Sequence, residues 1–137
     1  MDRRIIDQKL ESLRYCVDRV RNRCPSDVET LRADPDAQDI VVLNLSRAVQ
    51  RCVDLGAHVI AESDLNAPNT MGETFDLLAT GGVVDEAVAQ RLKRAVGFRN
   101  IAVHNYEAIN WDIVHAISTS YLDDFRAFAS AVNRWNQ

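Results

Sequence analysis

Arg99, His104 and Tyr106 lie within eight residues of one another and offer a fixed cation, a titratable imidazole and a phenol. An imidazole with an ordinary pKa of about 6.5 takes up or releases a proton near neutral pH. A guanidinium stays charged, and its planar fork matches phosphate oxygens. Between them, Ile101, Ala102 and Val103 are expected to pin the group against a core. A helix turns about 100° per residue, so two side chains five apart, as Arg99 and His104 are, point about 140° away from each other. Joint action then requires the helix to end or bend there, with Gly97 marking a weak point just ahead of Arg99, or a second subunit to supply the missing half. The residues alone also allow plainer roles: a salt-bridging arginine, a helix-capping histidine, and a loop tyrosine packing its ring on the end of a bundle.

The elements that must hold this group read as helices. Ile6, Leu10, Leu13, Val17 and Val20 recur at helical spacing and predict an amphipathic helix from Arg3 to Arg23, ended by Pro25. Residues 25–37 are a connector with a turn at Asp34-Pro35-Asp36 and one helical turn around Val28–Leu31. A long helix is expected from about Asp36 or Ala37 to about Ser63, its stripe running through Val42, Leu45, Val49, Cys52, Gly56 and Val59. Gly56 costs such a helix about 1 kcal/mol against alanine, which points to close approach of another helix. Thr70-Met71-Gly72-Glu73 has the capping-box pattern and opens a short helix carrying Phe75 and Leu78, stopped by Gly81-Gly82. Asp85 is the expected N-cap of the next helix, whose stripe is Val84, Val88, Leu92 and Ala95/Val96. Asn110 is the expected cap of a last helix, apolar at Ile113, Ile117, Tyr121 and Phe125 and running to about Trp135. With no strand alternation, the sum is an all-α, antiparallel up-and-down bundle of four main helices and a short one, a single domain over residues 1–137.

Composition excludes a good deal. At 47% hydrophobic and 26% charged the chain is globular in character, and no apolar run approaches the 18 or more residues of a membrane span. Acidic residues in Met1-Asp2-Arg3-Arg4-Ile5-Ile6-Asp7-Gln8 stand where a signal peptide is apolar, so a cytoplasmic location is expected. Cys16, Cys24 and Cys52 are too few and scattered for a disulfide framework; the first and last read as buried packing thiols, while Cys24, before Pro25, is expected nearer the surface. His58 and His115 sit in apolar helical surroundings and read as structural. Neither a metal-ligand spacing nor a phosphate-binding glycine loop nor a nucleophile elbow occurs, so neither metal nor cofactor is expected. The net charge of −4 is unevenly spread: residues 24–80 hold three basic and ten acidic side chains, whereas residues 91–99 hold Arg91, Lys93, Arg94 and Arg99 and no acid. A polyanion would bind at that patch while the remaining surface stays acidic, which makes Arg91, Lys93 and Arg94 its candidate contacts.

Arg99-Asn100-x-x-x-His104-x-Tyr106, late in a helical chain of this length, resembles the Arg-x₄-His-x-Tyr signature of HepT toxins of the HEPN superfamily. Asp39-Ile40-Val41-Val42-Leu43-Asn44-Leu45 resembles the family's long second helix, and Asn110-Trp111-Asp112-Ile113-Val114 its junction after the motif. Phe75–Leu78 and the Gly97-Phe98 lead-in agree; Ser46 departs from a larger polar residue. The resemblance implies a metal-independent endoribonuclease, the toxin of a toxin–antitoxin pair, working as a homodimer with Arg99 and His104 catalytic and Asn100 orienting the phosphate or the histidine. It also implies an MntA-like minimal nucleotidyltransferase antitoxin that transfers AMP to Tyr106. Two motifs meeting across the dimer would gather Arg91, Lys93, Arg94 and Arg99 from each chain, eight cations, and α-helix termination near His104 would turn its imidazole back toward Arg99. The alternative is a non-enzymatic HEPN-type bundle that binds nucleotide or substrate for a nucleotidyltransferase.

Overall fold

The amphipathic stripes fold into helices that share one contiguous apolar core in the computed structural model, which describes residues 3–135. In chain order these are α1 (Arg3–Arg23), α2 (Val28–Ala33), α3 (Pro35–Ala61), α4 (Met71–Thr80) and α5 (Glu86–His104), then a 3₁₀ turn (Tyr106–Ala108), α6 (Trp111–Ser120) and α7 (Asp123–Trp135). The architecture is the expected all-α antiparallel bundle. Met1 and Asp2, with which the stretch read for a signal peptide begins, lie outside the described residues, as do Asn136 and Gln137 at the end of the expected domain. None of the described helices is long and apolar enough to cross a membrane.

Seven α-helices stand among the described residues where five were expected. The turn around Val28–Leu31 is a full six-residue helix, because the Asp27 carboxylate accepts from the amides of Glu29 (2.8 Å) and Thr30 (3.3 Å) and Arg32 pairs with Glu29. The expected last helix is two. Ser118-Thr119-Ser120 are poor helix formers, and Thr119 Oγ1 donates to the His115 carbonyl at 2.7 Å. Asp123 and Asp124 then open α7 at its positive end. The other boundaries agree within two residues: Pro35 occupies the first turn of α3 under an Asp34 cap, Thr70 Oγ1 accepts from the Glu73 amide at 3.1 Å, and Asn110 accepts from Asp112 and Ile113. Asp85 holds the N-cap position of α5 but makes no capping bond.

α3 is the axis of the bundle, burying thirteen of its residues against α1, α4, α5 and α7. Gly56 on it lets α4 and α7 come close: a Cβ there would stand 2.7 Å from Thr74 Cγ2, 3.0 Å from Leu78 Cδ1 and 3.8 Å from Phe128 Cζ. Phe75 and Phe128 meet edge to face with centroids 5.7 Å apart in that junction. Cys16 and Cys52 are buried and Cys24 half-buried, with burial raising the pKa of each thiol. His115 Nε2 lies 2.9 Å from the Pro25 carbonyl and fastens the first connector to α6, a structural role.

Candidate active site at the end of α5

α5 delivers the motif. Ala89, Leu92, Ala95, Val96 and Phe98 root its inner face in the core. The helix runs unbroken through Gly97 and has its last residue at His104, after which the Asn105 amide closes on the Ile101 carbonyl at 2.7 Å. The expected weak point at Gly97 is therefore no break: one glycine costs a helix about 1 kcal/mol, less than the buried residues flanking it supply. A Cβ on Gly97 would meet nothing within 4 Å, so nothing inside the chain requires a glycine there.

Because the helix stays regular, Arg99 and His104 leave it in different directions. Arg99 is half-buried beside the start of α4, with Nη1 3.3 Å from Asn100 Oδ1 and 3.9 Å from Met71 Sδ. His104 is exposed and makes no hydrogen bond or ion pair with any described residue, so its imidazole is not turned back onto the guanidinium. Nor do the residues between pin the group: Ile101 and Val103 are 45% and 54% exposed, and only Ala102 packs on the core. Their positions face away from α3, and the helix continuing past Gly97 fixes that register.

Tyr106, one turn further on, is 41% exposed and held on two sides. Its ring meets Trp111 edge to face at 6.2 Å, and its hydroxyl donates to Asp39 Oδ1 on α3 at 2.9 Å. Partial burial first, then the bond to Asp39 and the carboxylate's charge, push its pKa up to about 12. Asp39, Met71 and Trp111 are contacts of the motif that motif reading alone passed over. Asp39 lies 67 residues from Tyr106, and no local spacing signals that pair.

The basic patch is smaller than its composition. Arg91 Nε and Nη2 donate to both Asp124 carboxylate oxygens at 2.8 and 2.9 Å, and its guanidinium sits 5.7 Å from the Tyr121 ring centre. Lys93 donates to Asp76 at 2.8 Å. Both charges are already paired with acids from α7 and α4, so of the four cations expected to gather there only Arg94 and Arg99 have no acidic partner among the described residues. Arg94 is exposed and has no acidic partner among the described residues.

Arg94, Gly97, Ile101 and His104 follow one another at spacings of three and four, forming an uncovered stripe along α5. Among the described residues no group of three or more His, Cys, Asp or Glu side chains is placed to hold a metal ion. An exposed imidazole such as that of His104 can transfer protons, and a guanidinium such as that of Arg99 can stabilise negative charge.

Comparison with known proteins agrees along the whole bundle. The family model described as Ribonuclease HepT-like matches residues 13–132. The mRNA nuclease HepT of Shewanella oneidensis is 33% identical over 128 residues, 93% of this chain and 96% of that protein. A solved structure of a tri-AMPylated Shewanella oneidensis HEPN toxin in complex with MNT antitoxin superposes with a TM-score of 0.88 at 32% identity, covering 98% of this chain and 99% of the other. YutE, a cytosolic protein of Bacillus subtilis, shares the fold at a TM-score of 0.83 and 15% identity, over 98% and 90% of the two chains. The chain belongs to the Ribonuclease HepT-like family of HEPN-fold proteins.

Proposed function

We propose that this single-domain chain, residues 1–137, is the toxin of a toxin–antitoxin pair: a cytoplasmic, metal-independent endoribonuclease that works as a homodimer. The observation that carries the reading is the end of α5, which leaves His104 exposed and unpartnered, with Asn100 one turn before it bonded to a half-buried Arg99. His104 takes a proton from the ribose 2′-hydroxyl or returns one to the leaving oxygen. Arg99, oriented by Asn100 and Met71, meets the charge that builds on the phosphate. Attack by the adjacent 2′-hydroxyl leaves a cyclic phosphate, so DNA is spared.

Arg99 and His104 of one helix diverge, and a second copy removes the difficulty by setting the His104 of each chain toward the Arg99 of the other. The uncovered stripe of Arg94, Gly97, Ile101 and His104 supports this, since Gly97 leaves room for a close approach and Ile101 offers apolar surface. Arg94 is the remaining contact for the RNA backbone. The partner is an MntA-like minimal nucleotidyltransferase, which neutralises the toxin by transferring AMP to Tyr106. The MNT antitoxin bound to the tri-AMPylated Shewanella toxin supports that partner. The added phosphate brings negative charge beside Arg99 and competes with RNA for it.

Purified protein incubated with RNA in EDTA tests the assignment. Wild type is expected to cleave and His104→Ala to lose about 10²–10⁴-fold in rate. Equal cleavage by the two proteins overturns it.

A further inference from the structure

The Tyr106 hydroxyl is a poor nucleophile as it stands. With its pKa near 12, only about one phenol in 10⁵ is ionised at pH 7, so its transfer chemistry needs a proton acceptor. The fold supplies a carboxylate at that oxygen. Asp39 Oδ1 receives the hydroxyl proton at 2.9 Å, inside the range of a well-formed O–H···O bond. Asp39 differs from three other acids near the motif. Asp76, Asp112 and Asp124 are each paired with a lysine or arginine. Asp39 pairs with no cation among the described residues, and its hydrogen bond from Tyr106 stands alone. Trp111 fixes the ring from the other side, and both Tyr106 and Asp39 are exposed, so a nucleotide presented from outside can reach the oxygen.

We propose that Asp39 is the proton acceptor for modification of Tyr106, so that the toxin itself contributes a catalytic group to its own inactivation. The proposal rests on the reading of Tyr106 as the AMP acceptor. Tyr106 Oη attacks the α-phosphorus of a nucleoside triphosphate held by the transferase, forming the Oη–P bond. The bond from the α-phosphorus to the bridging oxygen breaks, and pyrophosphate leaves with that electron pair. The hydroxyl proton passes to Asp39 Oδ1 and from there to water.

The test is a time course of intact mass and peptide mapping, with the full-length chain, its nucleotidyltransferase and ATP. Asp39→Asn keeps an acceptor oxygen for the hydroxyl but takes no proton. Its modification rate is expected to fall by about 10²-fold or more. The ratio of wild-type to Asp39→Asn rates should then shrink about tenfold for each pH unit from 7 to 9, as the phenol ionises unaided. Asp39→Glu should recover most of the rate. A position that merely shapes the turn would give a ratio that does not change with pH, and that result overturns the proposal, as does Asp39→Asn reacting at the wild-type rate. Failure of the underlying reading looks different: Tyr106→Phe gaining AMP as fast as wild type, or wild type gaining none.

Discussion

In the first three turns of α5 the charged side chains, Arg94 apart, are tied down, and in its last two turns they are not. Arg91 is clamped by Asp124, Lys93 by Asp76, and Gln90 bridges Asp76 and Glu86, while Ala89, Leu92 and Ala95 anchor the same turns in the core. Beyond Val96 the helix carries Gly97, Asn100, Ile101, Val103 and His104 in the open, and the groups touching Arg99 are the neutral Asn100 and Met71. The two stretches of one helix have different surroundings. A cation's availability is decided by the elements that pack beside it, here α4 and α7, and the rooted half is what allows the exposed half to hold its shape without partners.

The largest effect that separates the halves should come from Arg99→Ala, which is expected to lower RNA cleavage by about 10²–10³-fold while leaving the thermal midpoint unchanged. A matching loss of stability would mean that Arg99 belongs to the rooted half after all. Ile101→Asp should come next, converting the proposed dimer to a folded monomer in sedimentation at micromolar concentration with its helical signal intact. A dimer that persists would remove this stripe from the interface. Arg91→Ala should do the reverse of Arg99→Ala. It strands a nearly buried Asp124 carboxylate, so chemical denaturation is expected to show a loss of about 1–3 kcal/mol, with cleavage per folded molecule retained. The smallest effect concerns binding to uncleavable RNA. Arg94→Ala should reduce the slope of log affinity against log salt by about 1, and Lys93→Ala by clearly less, because Asp76 already holds that charge. Equal slopes would show that the Lys93–Asp76 pair opens for RNA.

What could be read from the sequence follows the range of the interactions involved. The stripe of α3, the demand for a close neighbour at Gly56 and the caps at Thr70 and Asn110 are set within one or two helical turns, and the structure has them all. The break between α6 and α7 escaped because Ile113, Ile117, Tyr121 and Phe125 keep a spacing of four straight across it. Periodicity records which side is apolar and is silent on whether the backbone is continuous. The end of α5 at His104 was legible, whereas its continuity through Gly97 depends on burial on both sides of the glycine. The pairs Arg91–Asp124, Lys93–Asp76 and Tyr106–Asp39 join residues 33, 17 and 67 apart, and only the folded chain brings them together.

Gly56 carries a last consequence, best put in terms of mechanical tolerance. The missing side chain seats Thr74 of α4 against α3 with no clearance to spare, and Met71, at the start of the same short helix, is the surface on which the Arg99 guanidinium rests. A methyl group added at Gly56 pushes on α4, and α4 transmits the displacement one turn along to Met71. The position of the guanidinium is thus set partly by a gap at the centre of the core, and a change there that is too small to unfold the protein is still large enough to spoil its aim.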